Sequence, residues 1–134
     1  MTMITSEEAR NIIAAAEQKA QEIAQPMNIA VVDAGRNLKA FSRMEDAWLG
    51  SIAISIDKAF TSASFKMSTQ DLVDLTQPGQ PLFGLNTTNE GRIVIFAGGI
   101  PLERDGEIVG AIGVSGGTVE QDQEVAEAGV GAYQ

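Results

Sequence analysis

The chain has 134 residues with 18 acidic and 9 basic side chains, so its formal net charge is −9. This length suits a single domain over residues 1–134, and a hydrophobic fraction of 44% is typical of a globular protein. The negative charge disfavours nucleic acid and anionic membranes as partners. There is neither a membrane-spanning apolar run nor a signal-peptide pattern, and we therefore predict a cytoplasmic protein.

Cysteine and histidine are both absent from the sequence. Disulfides, thiolate chemistry and Ser-His-Asp catalysis are therefore excluded. Because histidine, the commonest metal ligand, is absent, we also predict no metal site.

Hydrophobic periodicity and turn signals divide the chain into short elements. Apolar residues at a helical period predict helices, most of them preceded by Ser or Thr with capping-box spacing. Short apolar runs between turn-forming residues predict strands. The predicted elements are a helix up to Pro26, strands 28–33 and 38–43, helices 48–65 and 68–75, an irregular loop 76–91, strands 92–97, 100–104 and 108–115, and a helix from Val119 to about 132.

Because hairpins connect these strands, we predict an α+β fold. Its central sheet would be mainly antiparallel, with about five strands flanked by helices in a profilin-like sandwich. The segment GVSGG at 113–117 matches the G-x-S-x-G motif of serine hydrolases, but no histidine is available as its base. We interpret its glycines as residues of close packing and a tight turn.

The second predicted helix has a narrow polar face. Ser51, Ser55, Lys58 and Ser62 follow one another at helical spacing, and we name them the serine stripe. Because small side chains permit close approach, the stripe could line a pocket or a subunit contact. An ordinary solvated face is the alternative. Ser55 and Lys58 also match S-x-x-K, a pattern in which a desolvated lysine can act as a base.

The last helix begins after Gly116 and Gly117. Exposed amides and the helix dipole favour an anion at such a position. Glu120 and Asp122 lie in the first turn and already complement the dipole, which is the alternative interpretation.

Three segments carry a family resemblance: residues 28–44, GGIPL at 98–102, and IVGAIGVSGGTVEQDQ at 108–123. With these segments the chain resembles the GlcG/HbpS family, which includes the C-terminal domain of PduO-type corrinoid proteins. The resemblance implies an antiparallel α+β domain that forms homo-oligomers, dimer-based, tetrameric or octameric. It also implies a role with haem or another tetrapyrrole, and several members accompany glycolate or diol utilisation.

The resemblance and the residues together predict a small-molecule-binding accessory protein, with haem or another tetrapyrrole as its ligand. Arg43 and Lys58 would attract a carboxylate such as a haem propionate. The predicted ligand-binding residues are Arg43, Met44, Lys58, Phe83, Gly98, Gly99, Gly116 and Gly117. Since the chain has no histidine, a histidine-ligated iron is excluded.

Two other functions remain open at this point. The chain could be a histidine-free enzyme that acts on a small hydroxy acid or aldehyde, with Lys58 as its base or carbonyl-reactive amine. It could also be a purely structural oligomeric subunit, in which Leu82 and Phe83 anchor an interface.

Overall fold

A computed structural model describes residues 3–134 and has an α+β fold, as predicted. Its helices and strands are α1 (Ser6–Glu22), β1 (Asn28–Asp33), β2 (Leu38–Arg43), α2 (Gly50–Phe65), β3 (Gly99–Arg104), β4 (Glu107–Ser115) and α3 (Val119–Tyr133). The four strands form one antiparallel sheet in the order β2-β1-β4-β3. Between α2 and β3 the chain forms only three short 3₁₀ turns and irregular segments.

Two helices begin at the capping boxes that the sequence predicts. The Thr5 hydroxyl accepts the backbone N–H of Glu8 at 3.1 Å, and the Glu8 carboxylate accepts the N–H of Thr5 at 2.9 Å. Thr118 and Gln121 make the same reciprocal bonds at the start of α3. Each box satisfies N–H groups that a helix start otherwise leaves without partners, and it thereby fixes where the helix begins.

The prediction of a strand over 92–97 is wrong, and the sheet has four strands where about five were predicted. The backbone N–H of Val94 donates to the Thr61 hydroxyl at 3.0 Å, so this segment lies along α2. Pairing with β4 begins only at Gly98, whose carbonyl accepts the N–H of Val114 at 2.9 Å. The predicted helix over 68–75 is likewise shorter, a single 3₁₀ turn at Thr69–Leu72.

The two faces of the sheet differ in side-chain size. Helices α1 and α3 cover a face of large aliphatic residues, including Ile29 and Ile112, whereas α2 covers a face that includes Ala111 and Gly113. A Cβ at Gly113 would overlap the carbonyl oxygen of Ser55, so this glycine lets α2 lie directly on β4. The close packing expected of the GVSGG glycines is therefore present. Within residues 3–134, no helix is long and apolar enough to cross a membrane.

Candidate functional site

A buried ion pair joins α2 to the start of α3. Lys58 is 0% exposed, and its ammonium donates to Asp122 Oδ2 and to the backbone carbonyl of Val114, each at 2.8 Å. The ring of Phe96 lies 5.0 Å from the Lys58 Nζ atom, a cation–π distance. The Lys58 amine is thus sealed inside the fold, and in this arrangement no substrate can reach it.

The second oxygen of Asp122 is also occupied. Its Oδ1 accepts the backbone N–H of Gly117 at 2.9 Å. One of the amides that we predicted as an anion site therefore already holds a carboxylate of the chain itself. Sequence reasoning missed this role of Asp122, although one signal was available: Asp122 lies at helical spacing with the buried residues Val125, Ala126 and Gly129.

Burial shifts both groups of this pair towards their neutral forms. The pKa of Lys58 is lowered by desolvation, and the charge and hydrogen bond of Asp122 oppose that shift. The pKa of Asp122 is raised by desolvation, against the opposing effects of Lys58 and the neighbouring backbone amides. Each charge is stabilised by the other, and removing one partner from such a buried pair leaves an uncompensated charge.

The predicted residues Gly98 and Gly99 enclose the Lys58 side chain. Gly98 has a φ of +127°, and a Cβ there would lie 2.7 Å from the Lys58 Nζ atom. A Cβ at Gly99 would lie 2.6 Å from the Lys58 backbone oxygen. The backbone N–H of Gly99 donates to the Thr69 hydroxyl at 2.9 Å, which ties the start of β3 to the 3₁₀ turn. Only glycine fits at these two close approaches.

The serine stripe faces the sheet, and all four of its residues are buried. The Ser115 hydroxyl of β4 donates to the Ser51 hydroxyl at 3.1 Å. The interpretation of the stripe as a solvated face is therefore wrong, whereas its role in lining a pocket or a subunit contact stays a prediction. Its small side chains allow α2 to approach the strands closely.

Arg43 and Met44 lie away from this cluster, because β2 and β3 form opposite edges of the sheet. Both line a surface groove of about 430 Å³, together with Glu17 and Glu45. Phe83 lies in the 76–91 loop and is 65% exposed. The structure thus brings Lys58 together with Gly98, Gly99, Gly116 and Gly117, and leaves Arg43 and Met44 outside. Ligand binding by these eight residues stays a prediction.

A second surface groove lies between the outer side of α2 and the segment that was predicted as a strand. We name it the α2 groove; its volume is about 480 Å³. Among the residues that the structure describes, Asp57 is the only ionisable one in its lining, and Asp57 Oδ1 accepts the Arg92 Nε–H at 2.9 Å. The lining residues are Ala53, Ile54, Asp57, Asn86, Gly91, Ile93, Val94, Ile95 and Phe96.

Two guanidinium groups lie against one aromatic ring, about one helical turn beyond Asp57. The Arg92 Cζ atom is 3.8 Å from the centroid of the Phe60 ring, and the Arg36 Cζ atom is 4.8 Å from the same centroid. Arg36 Nη1 also lies 3.5 Å from the Ser64 hydroxyl, at the limit of a hydrogen bond. Neither arginine lines the α2 groove itself, but Arg92 adjoins it through its bond to Asp57, and Arg36 lies against the same ring as Arg92.

The structure is that of a small α+β domain, with one antiparallel sheet covered by helices on both faces. A buried ion pair joins two of those helices. The chain belongs to the family described as haem degrading protein HbpS-like, whose model matches residues 4–131. GlcG, HbpS and PduO proteins are all among its relatives, as the sequence resemblance predicted.

Three similar proteins illustrate this relationship. An uncharacterized 15.0 kDa protein of Citrobacter freundii is 45% identical over 97% of this chain and 92% of its own length. The corrinoid adenosyltransferase PduO of Salmonella typhimurium is 40% identical over 88% of this chain, which spans only 35% of that longer protein. The solved structure of a PduOC:heme complex superposes with a TM-score of 0.94 at 36% identity, covering 98% of this chain and 95% of the other.

Proposed function

We propose that this protein is a small-molecule-binding accessory protein for haem or a related tetrapyrrole, and that it acts as a homo-oligomer. One observation supports this function best. A protein whose fold matches this chain over almost its full length, at 36% identity, was solved in complex with haem. The absence of histidine does not oppose the proposal, since haem iron also accepts other protein ligands.

The residues of the α2 groove suit such a ligand. A tetrapyrrole is a flat apolar macrocycle with carboxylates at its edge, and ligand sites of this kind combine apolar walls with a few polar anchors. Ile54, Ile95 and Phe96 would contact the macrocycle, and Arg36 and Arg92 would hold the carboxylates. Bound haem would supply a redox-active iron. An axial ligand from this chain would be an oxygen, thioether or amine donor, because histidine and cysteine are absent.

The proposal is tested by titrating the purified protein with hemin and following the Soret absorbance. Bovine albumin serves as a positive control and buffer as a blank. We expect a saturable spectral change with a fixed ratio of haem to subunit. A spectrum that matches free hemin at every ratio would overturn the proposal.

A purely structural role in an oligomer is the second candidate, and the exposed loop residues favour it. Phe83 is 65% exposed and Leu82 is 40% exposed, and large apolar side chains of this kind often anchor interfaces. If they do so here, Phe83→Glu should reduce the mass measured by light scattering. Leu38→Glu is the matched control, because Leu38 is 50% exposed and lies on a different element, β2. An unchanged mass for Phe83→Glu would exclude Phe83 as an interface anchor.

A further inference from the structure

We propose that Arg36 and Arg92 form a recognition site for a pair of carboxylates, so that the α2 groove selects tetrapyrroles with free acid groups over esterified or amidated ones. This inference rests on the proposed function and names the ligand class of that site. The juxtaposition that carries it is two guanidiniums on one buried ring, beside an apolar groove.

The charge of the groove is unusual for this protein. The chain as a whole carries a net charge of −9, yet the one acid that lines the α2 groove is already paired with Arg92. Arg36 adds a second guanidinium against the Phe60 ring, and within the described residues it makes no ion pair. An anionic ligand is repelled by most of this protein and would be attracted to these two cations.

The guanidinium edges remain available to a ligand. Arg92 uses its Nε atom for Asp57, and within the described residues neither of its Nη atoms makes an ion pair. Arg36 makes no ion pair within the same residues, although Asp33 lies near it in the chain. The Asp33 carboxylate instead accepts the backbone N–H groups of Gly35 and Asn37 in its own turn.

Phe60 holds the two cations in place. Its ring is only 7% exposed, and stacking on an aromatic ring orients a guanidinium while leaving its edge N–H groups free. An edge of this kind binds a carboxylate through two parallel hydrogen bonds. Two such edges beside an apolar groove would suit the two neighbouring propionates of haem. An ester or amide in the same place carries no charge, and it loses the charge-assisted bonds.

The groove that contains Arg43 and Met44 fits this ligand less well. Glu17 and Glu45 line it beside Arg43, so it offers two acids for a single cation. A dicarboxylate would meet like charge there.

The test compares hemin with hemin dimethyl ester, which keeps the macrocycle and the iron but lacks the two negative charges. Wild type and two double variants are titrated with both ligands in the same detergent-containing buffer. Arg36→Gln/Arg92→Gln removes the proposed site, and glutamine at 92 can still donate a hydrogen bond to Asp57. Arg10→Gln/Lys39→Gln makes the same change of charge on α1 and β2, at residues that line neither groove.

We expect wild type and the control variant to bind hemin at least about tenfold more tightly than the ester, as the loss of a charged hydrogen bond implies. Arg36→Gln/Arg92→Gln should bind both ligands equally. Arg36→Gln alone should lose part of the preference, and because Arg36 is exposed, folding is unaffected. Equal binding of both ligands by wild type, or a preference that survives in the double variant, would overturn this inference. Failure of wild type to bind either ligand would instead overturn the proposed function.

Discussion

The buried pair of Lys58 and Asp122 gives the sharpest prediction about stability. In Lys58→Met the apolar stem is retained and the ammonium is lost. The Asp122 carboxylate, whose side chain is 4% exposed, then keeps only the neighbouring backbone amides, among them that of Gly117, as partners. Stranding one member of a buried pair costs about 3–5 kcal/mol. We expect a loss of this size in the free energy of unfolding, which is a large part of the stability of a small domain.

The double variant Lys58→Met/Asp122→Asn separates charge from packing. It removes both charges, and the asparagine oxygen can still accept the Gly117 N–H, so it should recover at least about 1 kcal/mol of the single variant's loss. Urea unfolding followed by far-UV circular dichroism, at one fixed protein concentration, measures these free energies. A single variant that loses less than about 1 kcal/mol, or a double variant as unstable as the single one, would refute the reasoning.

Two further predictions follow from the same region. Asp122→Asn removes the charge that raises the pKa of Lys58, whereas burial still lowers that pKa. At any pH above the pKa of Lys58 in the folded variant, the Lys58 amine therefore binds a proton more readily in the unfolded chain than in the folded one. The free energy of unfolding of this variant should therefore rise relative to wild type between about pH 7 and about pH 10, as urea titrations at each pH would show; a flat or falling difference would contradict it. Gly98→Ala should lower the melting temperature because its Cβ would meet the Lys58 ammonium, whereas Gly131→Ala on open helix surface should leave it unchanged or raised. Equal melting temperatures for the two variants would contradict the close packing at Gly98.

The sequence predicted correctly those elements whose ends depend on residues close in the chain. The capping boxes at Thr5 and Thr118 involve partners three residues away, and both helices begin where those residues indicate. The prediction of a strand over 92–97 was wrong because the partner of this segment is distant in sequence. Its apolar, β-branched residues are typical of a strand, but its Val94 N–H finds the Thr61 hydroxyl 33 positions away in sequence. A hydrogen bond between residues so far apart in sequence cannot be predicted from the local sequence pattern.

The centre of the site was predicted only in part. Lys58 and the glycine pairs, predicted as parts of one site, do lie together, whereas Arg43 and Met44 do not join them. Asp122, the partner of Lys58, lies 64 positions away in sequence, and its charge was interpreted only as complementing the helix dipole. A lysine among serines resembles a solvated face, because lysine is almost never fully buried without a partner. The arrangement of Arg36 and Arg92 around Phe60 could not be predicted either, since three separate segments supply these residues.

The central claim is that haem binds in the α2 groove. The most direct test is to record methyl NMR spectra of the protein while ferric hemin is added. The unpaired electrons of ferric iron broaden nearby methyl signals. Our account predicts that the methyl signals of Ile54, Ile93 and Ile95 broaden as hemin is added, while that of Met44 at the other groove is unaffected. Broadening confined to Met44, or no broadening at any methyl group, would contradict the account.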